Sequence, residues 1–566
     1  MNLMLRGLQR CTAIDGLAET DNTRVVRAGL LMALLAMLVR VAFWGYTGRC
    51  WEDALIACLH AENAARGLGL TLVHAGEGPV QGFSSPLGVL IPLLAELVHL
   101  GWGIHLLRLL SIVAGGLAVL YALGLGIHPR VKLPAPLVLL VMGYLAFEHH
   151  QISFAMSGME SQFAVLALLM SLYFLAAWKP IPLGLSLGLC MLVRPDYCLW
   201  ALIAGVYVLF RAPRHFLKVA GIALALYLPW VVFTTLYYGS PVPNTIVAKA
   251  LGYAPWWEKA GGVSFSAVKR QLWMTLAEHL HVSLGPGFAG HGAGIHVFFG
   301  GPESYIGNGM FVLAVLGGLV VLFRRQWRLC PVLGYTIVYS LYYAFLVPAV
   351  FPWYRVPYVV LVLLLSVRGL QALPLIPYPR LRSAFLGIFA IVYIGLFIAV
   401  LPITIHTERQ IQRCIEIPVR KAAGLYLAER IAPGETAGTE AMGYFSYYSR
   451  ADVLDWPGLA SRRVTAWSRE HPEARSLEGM LRAFEPDYLF LRDLEVLYWF
   501  KGPTWLERHY HVTAIFEADP ESTGNIRWID RNTDRIYRIY RKNRPEDPRP
   551  YDTSLWPRRS DSPPVP

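Results

Sequence analysis

The sequence predicts a polytopic α-helical membrane protein of about 11 spans with a C-terminal α/β domain outside the membrane. Three observations predict it. Of 566 residues, 55% are apolar and 16% are charged, against about 25% charged in soluble chains, and the mean hydropathy is +0.44. Charge is unevenly placed: residues 404–566 hold 24 acids and 24 bases, while residues 1–403 hold 14 acids and 26 bases, the whole of the net +12. Apolar stretches approaching the ~20 residues that a span requires recur through the first part. This composition excludes a disordered chain and argues against an ordinary soluble enzyme. Its basic excess is that of an integral membrane protein and needs no nucleic acid to explain it.

The spans are read at 27–46, 105–126, 134–152, 161–178, 181–193, 197–211, 216–236, 306–323, 330–349, 354–368 and 384–403. A further stretch, 83–100, contains Pro86, Pro92, Glu96 and His99 and is expected to dip into the outer interface without crossing. With that choice Arg6, Arg10, Arg24 and Arg27 fall inside, as do the bases at 130–132, 179, 211–218, 324–328 and 368–382. The N-terminus is then cytoplasmic by the positive-inside rule. The acids past the N-terminal tail, from Glu52 to Glu303, all fall on or near the outer side.

The domains follow. Residues 1–403 form the membrane part, with outer loops 47–104 and 237–305. Residues 404–542 form an outer α/β domain, and the Pro- and Arg-rich tail 543–566 is expected to be disordered. An amphipathic helix near 410–431 should stop at Pro433-Gly434, and short apolar runs follow at 487–491, 511–517 and 535–541, a pattern that looks α/β. Seven cysteines lie scattered without a CxxC spacing, against a zinc module or disulfide framework. Cys50 and Cys58 share one loop and are near enough in sequence to pair. Residues 1–26 are polar, unlike a cleavable signal peptide.

Five motifs could carry chemistry. Trp51-Glu52-Asp53 sets two adjacent carboxylates directly after the first span, where they repel and resist desolvation. Either acid could instead serve as the first turn of a helix starting there. Ser157-Gly158-Met159-Glu160-Ser161 lies at the outer mouth of a span and also suits a helix start. In Arg194-Pro195-Asp196-Tyr197 the two charges could be a local ion pair. Pro241-Val242-Pro243-Asn244-Thr245, followed by Lys249, could be a stiff turn with a snorkelling lysine. Trp353-Tyr354-Arg355 puts an arginine at an outer span end, against the usual bias. Taken together, two acidic motifs and three bases (Arg194, Lys249, Arg355) meet on one membrane face. Bases there can hold a lipid phosphate, and a carboxylate can take a proton from an attacking hydroxyl.

At these residues the chain resembles the GT-C glycosyltransferases that use polyprenyl-phosphate sugars. Glu52-Asp53, the run Asn63 to Gly69, and Gly82-Phe83-Ser84-Ser85-Pro86-Leu87 are similar to the family's first outer loop. SGMES (157–161), RPDY (194–197), PVPNTIVAK (241–249) and the stretch 436–460 are similar to later blocks. The resemblance covers roughly residues 30–460 in patches and lies nearest the terminal arabinofuranosyltransferases and their relatives. One departure stands out: Glu52 occupies the place of the first Asp of the family's usual pair.

The resemblance implies a GT-C-like membrane domain and an inverting transfer of a sugar, arabinofuranose or a hexose such as mannose. The donor would be a polyprenyl-phosphate sugar and the acceptor a hydroxyl on a glycan, lipid or protein, at the outer face of a bacterial-type plasma membrane. It implies Asp53 or Glu52 as the base, Asp53 favoured. Lys249, Arg194 and Arg355 would hold the donor phosphate, with Glu160, Asn244 and Asp196 in support. Outer carboxylates leave room for a divalent cation (Mg, Mn or Ca), but no metal motif demands one. The rival readings are a transporter or flippase of lipid-linked sugars, which would favour mid-membrane charges and repeated halves, and a noncatalytic envelope scaffold.

Overall fold

The computed structural model describes the chain except residues 1, 16, 18–22, 73–75, 254–261, 277–281, 287–304, 325, 347–349, 374–377, 501–504, 520–534, 546–552 and 558–566. Much of the second outer loop, with Glu258, Glu278 and Glu303, and most of the C-terminal tail lie outside the described residues.

In chain order the membrane part comprises α1 (Asn2–Thr12), α2 (Thr23–Thr47), α3 (Glu52–Ala65), α4 (Pro86–Glu96), α5 (Gly103–Ile127) and α6 (Ala135–Phe147). Next come α7 (His149–Met156), α8 (Ser161–Ala177), α9 (Pro180–Val193), α10 (Cys198–Arg211), α11 (Pro213–Tyr238) and α12 (Asn244–Gly252). The last are α13 (Phe265–Trp273), α14 (Tyr305–Phe323), α15 (Cys330–Phe345), α16 (Pro352–Ala372) and α17 (Pro379–Ile411). The protein is thus a polytopic helical membrane protein. Among the described residues, six helices are long and apolar enough to cross a membrane: α2, α5, α11, α14, α16 and the one that begins at Pro379. The other apolar stretches hold helices of 13 to 17 residues, shorter than the ~20 residues of a full span. Breakers explain this. Glu148 ends α6 and accepts a hydrogen bond from the Gln151 amide, capping α7, and Pro195 separates α9 from α10.

The stretch 83–100 forms the 11-residue α4, about 16 Å long against a ~30 Å hydrocarbon core. Ser85 caps it by accepting from the Gly88 amide at 2.8 Å, and Pro86 occupies its first turn. α14 and α16 cross backbone to backbone. A side chain on Gly317 would meet the Leu365 carbonyl, and one on Gly369 the Leu313 carbonyl, the small-residue packing that membrane helices use. Buried Arg40 donates to the Gln162 side chain at 2.7 Å and to the carbonyls of Ala36, Leu145 and Gln151.

α17 does not stop at the expected domain boundary. It continues through a π-helical segment, Gln412–Lys421, into α18 (Ala422–Ala428), 50 residues without a break. The sheet beyond has the order β2-β1-β3-β5-β4, from β1 (Thr436–Thr439), β2 (Asp452–Asp455), β3 (Tyr488–Arg492), β4 (Tyr510–Glu517) and β5 (Ile536–Lys542). β1 pairs in parallel with β2 and β3, while β5 runs antiparallel to β3 and β4. Ile56, Leu59 and Leu72 from the segment 47–104 share one core with Val419, Phe445, Val453, Phe490 and Tyr537. α3 is therefore packed between bundle and sheet.

Two points left by the sequence are placed by the fold. Cys50 and Cys58 are free, buried thiols; Cys50 precedes α3, its Sγ lies 3.6 Å from the Trp51 carbonyl, and Cys58 sits in the helix. Within the tail, Trp556 is buried against Tyr540, with ring centroids 5.2 Å apart.

Arg49 joins the two halves. Fully buried, it reaches Glu408 at 2.8 Å and Glu416 at 3.0 Å, and its Nη1 donates to the Cys50 carbonyl. Arg49→Met would leave two buried carboxylates without their shared cation, a loss of about 3–5 kcal/mol. Thermal unfolding of the detergent-solubilised chain should show a large fall in melting temperature, and an unchanged one would deny the bridge this role.

Candidate active site

α3 begins at Glu52, directly after an extended Trp51 that supplies no side-chain cap. Both acids occupy the first turn, as the capping view expects. Successive helical residues point about 100° apart, however, and the two carboxylates part company. Glu52 turns to the sheet domain, accepting from the Gly443 amide at 3.0 Å and from Arg420 at 3.2 Å. Asp53 lines a narrow cavity shared with Ser84, Glu160, Arg194, Lys249, Trp353, Tyr354 and Leu459. Among the described residues no hydrogen bond engages the Asp53 carboxylate.

The walls come from motifs far apart in sequence. Gly158, at φ +94°, holds a left-handed conformation that favours glycine and brings its Cα against Ala54. That turn sets Glu160 into the cavity wall. Arg194 lies between Glu160 at 3.2 Å and Asp196 at 2.9 Å, its guanidinium 3.8 Å from the Tyr354 ring centroid. Lys249 donates to the Tyr354 hydroxyl at 2.7 Å and sits 4.6 Å from the Phe351 ring. Ser84 and Thr245 share a hydrogen bond of 2.9 Å. Asp53, Glu160, Arg194 and Lys249 are thus brought together.

A second cavity, of about 230 Å³, adjoins the first through Ser84, Arg194, Lys249 and Tyr354. Its other walls are largely apolar and aromatic, including Leu199, Ile246, Tyr342 and Tyr343. Asp196 lies here, accepting from the Tyr343 hydroxyl at 3.2 Å.

The remaining predicted residues are placed elsewhere. Asn244 donates to the Gly458 and Leu459 carbonyls at 2.7 and 3.1 Å and so ties α12 to the loop after β2. Arg355 is not among the residues lining either cavity, which corrects its grouping with the other two bases. One helical step past Tyr354 turns it inward, where Nε donates to the Pro352 carbonyl and Glu148 lies within electrostatic reach. Sequence reasoning missed Tyr354, the ring that both cations engage. Its motif, Trp-Tyr-Arg, was noticed only for the arginine. Ser84 was visible in the GFSSPL run. Glu440 could not be seen, because only the fold carries the end of β1 toward Asp53.

Burial pushes the Asp53 carboxyl up to about 6; Lys249 pulls against that shift, while Glu160 and Glu440 add to it. Burial likewise raises Glu52 to about 7, opposed by Arg420. A divalent cation here would find two carboxylates, Asp53 and Glu160. Among the described residues no three His, Cys, Asp or Glu side chains gather as a metal site.

Comparison with known proteins adds a second line. Over 279 residues the chain is 26% identical to a terminal β-(1→2)-arabinofuranosyltransferase of Corynebacterium glutamicum, across 44% of this chain and 40% of that protein. The chain resembles a terminal arabinofuranosyltransferase. It spans well under half the length of that relative. Residues 403–540 match a domain of unknown function (DUF8728). Among solved structures, ArnT from Cupriavidus metallidurans bound to undecaprenyl phosphate aligns at a TM-score of 0.48 and 11% identity, over 90% of this chain and 97% of that one. The archaeal oligosaccharyltransferase AglB from Archaeoglobus fulgidus, in complex with an inhibitory peptide and a dolichol-phosphate, aligns at 0.46 and 12%, over 88% and 73%.

The raised Asp53 carboxyl has a consequence for stability. Between its ordinary value of 3.8 and about 6 the folded state holds the proton more tightly than the unfolded chain. Folding therefore weakens as pH rises through that window. Asp53→Asn removes the buried charge, so it should melt higher than the parent at pH 7, and the difference should vanish below about pH 4. Melting curves at the two pH values check this, and a lower melting temperature for the variant at pH 7 would refute it.

Proposed function

We propose that the chain is an inverting glycosyltransferase that moves a sugar from a polyprenyl-phosphate donor to an acceptor hydroxyl on the extracytoplasmic face. The observation that carries this is the meeting of Asp53 with Arg194 and Lys249 across two adjoining cavities, one holding both signs of charge and one largely apolar. The apolar cavity suits the start of a lipid chain, and the shared cations suit its phosphate. The cavity that Asp53 lines suits the reacting centre, where the acceptor hydroxyl meets the anomeric carbon.

In the reaction, the Asp53 carboxylate accepts the proton of the acceptor hydroxyl. The hydroxyl oxygen attacks the anomeric carbon from the face opposite the phosphate. The bond from that carbon to the phosphate oxygen breaks, its electron pair leaves with polyprenyl phosphate, and the configuration inverts. Lys249 and Arg194 stabilise the departing charge from fixed positions, with no reorganisation needed during the reaction. Glu160 and Asp196 hold Arg194 in place. Tyr354 positions both cations. Asn244 holds the loop after β2 over the site. Glu52 keeps the start of α3 seated on the sheet domain, leaving Asp53 as the base. The sequence relative's transfer of arabinofuranose supports that sugar over a hexose such as mannose. The Arg and Lys distribution supports a cytoplasmic N-terminus and an outer C-terminal domain.

Three outcomes test this reading. Asp53→Asn should lose transfer from a polyprenyl-phosphate arabinofuranose by about 10²–10⁴-fold and remain folded. A lipid flippase would keep its transport and show no transfer in either form. For the parent enzyme, the rate should fall as pH drops through about 6, because the base is then protonated; a rate independent of pH there would remove Asp53 as the base.

Sidedness has its own check. A cysteine in place of Gly262 should react with an impermeant thiol reagent from outside the cell, and one in place of Gln326 should not. The opposite labelling would invert the topology.

A further inference from the structure

The bundle end away from Asp53 carries a feature that the transfer reaction does not use. Along α16, Tyr354 lies at the Asp53 cavity and Arg368 lies 14 positions on, about 21 Å down the helix axis. Two adjoining cavities of about 420 and 300 Å³ open there and share Gln326 and Arg368. Arg324 and Arg382 stand in the wall of one, and Arg130, Arg211 and Arg328 in the wall of the other. Neither lining contains an Asp or Glu. The segments 128–134, 211–218, 324–330 and 366–383, which supply most of these walls, contain no acid at all.

Arg368 is held in place by side chains, donating to Gln326 at 2.6 Å and to Gln371 at 2.5 Å. Arg324 and Arg328 are exposed. Six guanidiniums around one concave surface repel one another, and an anion relieves that repulsion. Planar guanidinium forks match phosphate oxygens. Free phosphate and a lipid phosphate offer the same chemistry, but the flanks distinguish them. Phe210, Phe323 and Leu381, each next to an arginine, are large, apolar and well exposed. The geometry points to a binding site for the phosphate headgroup of an anionic phospholipid, with its acyl chains along Phe210, Phe323 and Leu381. Basic pockets between helices at the cytoplasmic surface are suited to such headgroups. Arginine at cytoplasmic helix ends is common as a topology signal, but here the arginines line cavities.

Native mass spectrometry of the full chain checks this, with dioleoylphosphatidylglycerol, dioleoylphosphatidylcholine or inorganic phosphate added to the detergent. The phosphatidylglycerol should stay bound, and the other two should not. The double variant Arg324→Gln/Arg328→Gln should reduce that retention by about tenfold. Arg214→Gln/Lys218→Gln removes the same charge from the same end but outside both cavities, and should retain the lipid within about twofold. Equal loss in the two double variants would assign the binding to diffuse surface charge and overturn the site. Full retention in the first, or equal retention of phosphate or phosphatidylcholine, would also overturn it. In the unsubstituted protein, phosphatidylglycerol but not phosphatidylcholine should slow deuterium uptake across residues 322–330, and identical uptake would count against the site whatever the variants do.

Discussion

The buried Arg49 guanidinium is the contact on which the rest of the architecture depends. It sits just past the end of α2, before α3, and its partners Glu408 and Glu416 belong to the long helix that leaves the bundle. One turn later Arg420 repeats the arrangement, pairing with Glu416 and with Glu52. Charges buried like this are tolerated only when each has its partner, because removing one strands the other in a low-dielectric interior. The chain therefore meets itself in a single register, with α3 between the bundle and the sheet. α3, which carries Asp53, is seated by that register.

The division of work between Glu52 and Asp53 follows from it. Both carboxylates are largely desolvated, but only Glu52 has a cation and an amide aimed at it. Asp53, one residue on, faces Lys249 across the cavity with its carboxyl raised to about 6; Glu52 is raised to about 7, so it is the direction each side chain takes, and not its titration, that separates the two. A group in that range can be ionised at working pH and still gain from taking up a proton, which is what a general base needs. Two adjacent acids that look equivalent in sequence are thus made unequal by one helical step.

Tyr354 plays the corresponding part for the cations. Its ring face meets Arg194 and its hydroxyl accepts from Lys249, so a single neutral side chain holds two positive charges near each other without cancelling either. Glu160 and Asp196 balance Arg194 alone. Lys249 has no carboxylate partner among the described residues, and its charge is directed at Asp53 and at whatever anion enters the cavity.

Much of this was legible in the chain itself. Apolar run length and the charge partition determine a helical membrane part and a more charged C-terminal part, because desolvating backbone and charge in a bilayer is costly enough to mark the sequence; that the two share a helix and a core was not visible there. The short apolar runs at 487–491, 511–517 and 535–541 coincide with β3, β4 and β5; β1 and β2, four residues each, are too short to show a period. Asp53, Glu160, Arg194 and Lys249 were recognisable as residue types out of place at a membrane surface. Only the tertiary structure decided which of them meet. Arg355 differs from Tyr354 by one position, and helix rotation alone sends one into the wall of the cavity and the other away from it. Whether Glu52 or Asp53 faces the cavity was likewise undecided until the Gly443 amide and Arg420, almost 400 residues downstream, claimed Glu52. Run length and charge are local properties, and the chain carries them openly. A side chain's partners are set by long-range packing, which no local pattern encodes.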